Sequence, residues 1–226
     1  MADLRNRKQE LDYHGLQLLY FGSINSLTVR NDKLIEMIES LENSFNPASN
    51  EEQNELNVYR RILWGSIFTT IVETTEMLLR RMCKSYSPPG VTVKPLESIK
   101  KDKGFNLYYK FIEQNNLQVT KIRNWDLVFD IALLRNVITH NESRLNNSKH
   151  QNKLLSSFKD NPYIVFTGDH LLIEFKSDFV GTTSYQLYDF LEDVHGILYP
   201  DVLNTSQRQF DKVVKILPDV SFDDGL

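Results

Sequence analysis

The stretch between Ser49 and the Ser87-Pro88-Pro89-Gly90 block constrains this chain more than any other. Ser49, followed three residues later by Glu52, is a capping-box pattern and starts a helix near residue 50. The proline pair cannot continue a helix, so the helix stops near residue 85. At about 100° per residue, Trp64, Ile67, Phe68, Ile71, Val72, Leu78, Leu79 and Met82 fall on one side. Thr70, Glu73, Arg80 and Lys84 fall on the other. A long helix with one apolar face buries that face against other elements, which makes it the central helix of a bundle.

The rest of the chain fits the same architecture. Residues 8–20 and 29–45 read as two short helices parted by a Gly-Ser-Asn break at 22–26. The second of them places Leu34, Met37, Ile38 and Leu41 at helical spacing and ends at Asn46-Pro47-Ala48. Residues 91–104 form a loop with an extended Val-Thr-Val segment and a basic run at Lys100–Lys103, and 106–114 form a short helix. A strongly apolar helix runs from Trp125 to His140, and a polar loop covers 146–152. Residues 162–175 read as a β-hairpin, with Tyr163-Ile164-Val165-Phe166 and Leu171-Leu172-Ile173-Glu174-Phe175 flanking a tight turn. A last amphipathic helix covers 184–198, a short one 207–216, and the tail 218–226 frays. No repeat, low-complexity segment or linker divides the chain. The expected fold is mainly α: an antiparallel helical bundle with one β-hairpin near its C-terminal part. It is a single domain over 1–226 with its core in 50–145.

Composition narrows the function. With 41% hydrophobic residues, 9 Gly and 7 Pro, the chain is neither disordered nor collagen-like and has material for a core. A net charge of −4 argues against coating nucleic acid non-specifically, which depends on neutralising phosphates, but allows a local basic pocket. The single Cys83 excludes an internal disulfide and a multi-cysteine zinc site. The N-terminus lacks the apolar core of a signal peptide, and no apolar run approaches the ~20 residues that span a bilayer, so a cytoplasmic setting without a membrane is expected. Walker, dinucleotide-binding, zinc-protease and serine-hydrolase motifs are absent, and neither a metal nor a cofactor is expected.

The chemistry concentrates at 125–141. Leu127, Ile131, Leu134 and Ile138 form an apolar stripe, while Arg135, Asn136, Thr139 and His140 share an arc of about 140°. Earlier turns of that arc carry Val128, Phe129 and Ala132, so the helix is apolar nearly all round until its polar end. That pattern places Arg135, Asn136 and His140 at the mouth of a packed cleft.

The phrase Leu134-Arg135-Asn136-Val137-Ile138-Thr139-His140-Asn141 resembles the HEPN superfamily (higher eukaryotes and prokaryotes nucleotide-binding domains). That family's signature is an Arg, four to six residues and a His, usually with a polar residue straight after the Arg. Trp125 and the apolar run into Arg-Asn are similar to it as well, as is the long helix 50–85, which would be the antiparallel partner. The likeness covers roughly residues 50–145. It implies a HEPN-like fold, no metal, and a homodimer in which two Arg-His motifs meet in one composite site. It further implies an endoribonuclease in which O2′ attacks the phosphate to leave a 2′,3′-cyclic phosphate and a 5′-hydroxyl. Small bacterial proteins of this kind serve as toxins or antiviral (phage-defence) effectors, with an antitoxin or partner protein. In that chemistry His140 is a base or acid at neutral pH, Arg135 a phosphate-matching cation, and Asn136 a donor to the imidazole or the phosphate. One His cannot do both proton transfers, so a second copy supplies the other.

Other residues have lesser claims. Glu73 and Glu76 face the motif helix in such a fold and are supporting candidates beside Arg135 or His140, against the plainer reading of a Glu76–Arg80 surface pair. Arg144, Lys149 and Lys153, with His150, are candidates for an RNA-backbone patch, against a solvated loop. Tyr108 and Tyr109 offer base stacking or half-core packing, and Glu192, Asp193 and His195 are metal-type side chains whose spacing matches no zinc signature. The rival functions are a non-catalytic HEPN-fold module binding a partner protein or nucleotide, and a plain helical interaction protein in which the motif is accidental.

Overall fold

The structure, a computed structural model, describes residues 2–200. Its helices are α1 (Ala2–Ser44), α2 (Asn50–Ser85), α3 (Phe105–Gln114), α4 (Trp125–His140), α5 (Gln151–Phe158) and α6 (Ser177–Leu198). Between α5 and α6 lie β1 (Ile164–Thr167) and β2 (Leu172–Phe175), paired antiparallel with Ile164 opposite Phe175 and Thr167 opposite Leu172. The expected helix 207–216 and the tail lie outside the described residues.

α2 forms where its sequence directs. The Ser49 side chain accepts from the Glu52 amide at 3.2 Å, and Glu52 reaches back to the Ala48 amide at 2.6 Å. All eight apolar residues assigned to its inner face are buried. An 18-residue window of α2 has mean hydropathy 1.2, enough by length and composition to cross a membrane. This corrects the expectation that no run comes close. Half of that window is buried inside the protein, as a core helix requires.

The N-terminal region is one helix rather than two. Tyr13, Gln17, Tyr20, Ile24, Asn31, Ile35 and Ile38 are buried, at steps of four, three or their sum. That repeat passes straight through the presumed break at 22–26 and docks on two helices at once. A glycine within a helix costs about 1 kcal/mol, which burial of the flanking Tyr20 and Ile24 outweighs. Of the expected face Ile38 is buried, but Ile35 joins it inside while Met37 and Leu41 are exposed.

Interhelix bonds fix the directions. Glu42 accepts from the Trp64 indole at 2.9 Å, and Tyr20 donates to the Arg81 carbonyl at 3.1 Å, so α1 and α2 run antiparallel. Tyr13 donates to the Leu198 carbonyl at 2.5 Å, Asn31 to Ser184 at 3.3 Å, so α1 and α6 do too. α6 starts at Ser177, earlier than the expected 184, because Phe179, Val180 and Thr183 already belong to its buried face. The hairpin lies against this bundle: Phe175 stacks on Phe179 at 4.9 Å and contacts Phe68 of α2 at 5.0 Å.

Candidate functional site

α4 is anchored by its first turn. Trp125 meets Phe190 of α6 edge-on at 4.7 Å and Tyr109 of α3 at 5.3 Å, and stacks on Phe129 at 5.5 Å. Val128, Ile131, Leu134 and Val137 are buried, whereas Leu127 and Ile138 of the expected stripe are half-buried. The inner face is thus rotated from the expected one. At Gly65 of α2, an added Cβ would lie 3.4 Å from Ile138, so the two helices cross closely there. Gly65 sits by Ile138 and Glu76 by Arg135, which makes α2 and α4 antiparallel as expected.

The chain reverses sharply after His140. Glu142 and Ser143 both adopt left-handed conformations, with φ of 51° and 62°, and the Arg144 amide donates to the Asn141 carbonyl at 2.8 Å. Two successive non-glycine residues in this region are costly, roughly 1–2 kcal/mol each. The hairpin holds them there. The Ile173 amide donates to the Ser143 carbonyl at 3.0 Å and the Leu145 amide to the Leu171 carbonyl at 3.2 Å. A turn over Leu145–Asn147 then leads into α5, a helix that the reading of 146–152 as a polar loop did not include. Its signal was Leu154 and Phe158, four residues apart and both buried.

This geometry divides the motif. Arg135 turns toward α2, where its Nη2 donates to Glu76 at 3.0 Å and its Nη1 lies 3.7 Å from Glu73. Its Nε is buried and has no hydrogen-bond partner among the described residues. Glu76 therefore pairs with Arg135 rather than with Arg80. Tyr108 lines the same depression. Burial, followed by the charge of Glu76, pushes its phenol up to about 12.

Asn136 and His140 face elsewhere. They line an open cleft of about 430 Å³ with Asn141, Ser148, Lys149 and His150, over an apolar floor of Leu133 and Val137. No carboxylate lines this cleft among the described residues. Arg135 and His140 therefore do not share one cleft mouth within a single chain: five residues along a helix rotate a side chain by about 140°.

The remaining candidates also separate. Lys149 joins the cleft, but Arg144 lies 3.5 Å from Glu142, and Lys153 is paired at 2.6 Å with Asp130, which also accepts from Ser157 at 2.6 Å. Tyr108 is buried and Tyr109 packs on Trp125, so the protein itself occupies the rings considered for base stacking. Glu192 accepts from Tyr188 at 2.7 Å, Asp193 holds Arg123 at 2.9 Å, and His195 is buried with Nε2 on the Gln17 carbonyl at 3.0 Å. These three metal-type side chains face three different partners. Among the described residues no group of three His, Cys, Asp or Glu stands ready for a metal. Cys83 is buried and its thiol is pushed up by that burial, which keeps it unreactive.

No family model, curated protein or solved structure matches this chain.

Proposed function

We propose that the protein is a metal-independent endoribonuclease of the HEPN type, acting on RNA in the cytoplasm as a toxin or phage-defence effector. The observation that carries this reading is the cleft at the end of α4. There His140 and Asn136 open to solvent beside Lys149 and His150, with no carboxylate among the described residues of the lining. In a protein of net charge −4, such a place is suited to a phosphodiester. An imidazole there takes the proton from the 2′-hydroxyl or gives one to O5′, and amide and ammonium donors stabilise the phosphorane. Two proton transfers need two groups. In a homodimer of the family kind the twin motif is one source of the second and a further group of the same cleft is the other, and an antitoxin or partner protein would restrain the activity by covering the cleft.

A second reading, a non-catalytic HEPN-fold module binding a protein or nucleotide, is favoured by one specific contact. Arg135 is already engaged by Glu76 and Glu73, which balance the charge that the family motif would direct at phosphate. Incubation of purified protein with single-stranded RNA in EDTA separates the two. The first reading expects cutting to 2′,3′-cyclic phosphate ends and a loss of 100-fold or more, about the acid–base contribution, in His140→Ala. Intact RNA, or cutting that persists unchanged in His140→Ala, rejects it.

A further inference from the structure

We propose that His150 is the second proton-transfer group of this cleft, so that one chain carries both imidazoles the reaction requires, and that Lys149 is its phosphate cation. The inference rests on the ribonuclease reading and assigns the groups of its site.

The turn at Glu142 and Ser143 folds the chain back on the end of α4, and the hairpin fixes it there through the Ser143 and Leu145 backbone. The returning chain passes through Leu145–Asn147 and reaches the start of α5, where Ser148, Lys149 and His150 line the same cleft as Asn136 and His140. The His150 amide is held by the Ser148 hydroxyl at 3.1 Å, which fixes the backbone that carries the ring. α5 is held in turn by the buried Leu154 and Phe158. Ten residues apart in sequence, the two histidines thus line one small open space on two packed elements. Arg135 is turned away onto the α2 carboxylates, leaving Lys149 as the permanent cation among the described residues of the cleft lining.

The step balances without any further reactant. One neutral imidazole accepts the 2′-hydroxyl proton as the O2′–P bond forms. The other, as imidazolium, gives its proton to O5′ as the P–O5′ bond breaks. The products are a 2′,3′-cyclic phosphate and a 5′-hydroxyl. The two rings have exchanged protonation states, which proton exchange with water restores. Lys149 offsets the charge gathering on the non-bridging oxygens, and Asn136 and Asn141 donate to the same atoms.

The test uses the full chain, a single-stranded RNA oligonucleotide, and a uridine 3′-(p-nitrophenyl phosphate) whose leaving group needs no acid. His140→Ala and His150→Ala are each expected to lower kcat on RNA at least 100-fold, with His150→Gln doing the same and circular dichroism unchanged. His170→Ala, at the hairpin turn, is expected to match wild type. One of the two cleft variants, the one lacking the acid, is expected to recover on the p-nitrophenyl ester, and the other is not. The rate per chain is expected to be independent of protein concentration, and mixing the two inactive variants restores nothing. RNA cutting lost in His140→Ala but intact in both His150 variants overturns the inference while leaving the ribonuclease reading in place. Restoration on mixing overturns the single-chain site. Wild-type protein that leaves RNA whole in EDTA removes the ribonuclease reading itself, and this inference with it.

Discussion

His140 and His195 show how far position decides what one residue type does. Both sit in the last turn of a helix, yet His140 is exposed at an open cleft and His195 is buried against α1. Desolvation lowers the His195 pKa from its ordinary 6.5, and the bond to the Gln17 carbonyl and the charge of Glu192 only partly oppose this. The folded ring therefore takes up its proton at a lower pH than the unfolded chain, which does so near 6.5. As pH falls below that value the unfolded state binds the extra proton, so stability declines until the folded-state pKa is reached, and it is insensitive to this group above the ordinary value. Melting temperature is therefore expected to drop between pH 7 and 5, and the drop to be shallower in His195→Gln. Equal slopes for the two proteins would show that His195 does not govern it.

At the scale of elements, the hairpin is a brace for the loop after α4. Its strand β2 bonds to Ser143 and is pressed into the bundle by Phe175, between Phe68 and Phe179. Phe175→Ala removes that wedge and is expected to cost about 3–5 kcal/mol in urea unfolding. The sharper prediction is local. Hydrogen exchange at the Leu145 and Ile173 amides is expected to accelerate more in this variant than exchange at mid-α2 amides, since they depend on the hairpin rather than on the long helices. Uniform acceleration would mean that hairpin and bundle open as one unit. The hairpin was legible in the sequence from two apolar, β-forming runs on either side of the turn at Gly168. Its purpose was not, because the contacts with residues 143–145 join segments whose patterns say nothing about each other.

The whole molecule carries a net negative charge, and its cleft is a small cationic exception. A cleft whose lining offers Lys149 as its permanent cation contacts few phosphates. The affinity for a non-cleavable 2′-deoxy oligonucleotide, followed by fluorescence anisotropy against salt, is expected to give a log–log slope of about −1 to −2, from roughly 0.7 per phosphate on single strands. A slope steeper than about −4 would point to a broad basic surface that includes Arg144 and Lys153, both of which have carboxylate partners in the folded chain.

The sequence by itself determined the helical class, the limits of α2 and α4, the hairpin and the inner face of α2. Each follows from local periodicity and stop signals, which act over a few residues. Only the tertiary structure decided that residues 22–26 stay helical, since the gain comes from burying Tyr20 and Ile24 against helices far along the chain. It also decided which way the motif faces. The separation of Arg135 from His140 is a rotation any helix imposes, but what waits on each side, two carboxylates of α2 or a lysine and histidine from α5, is set by how distant segments pack.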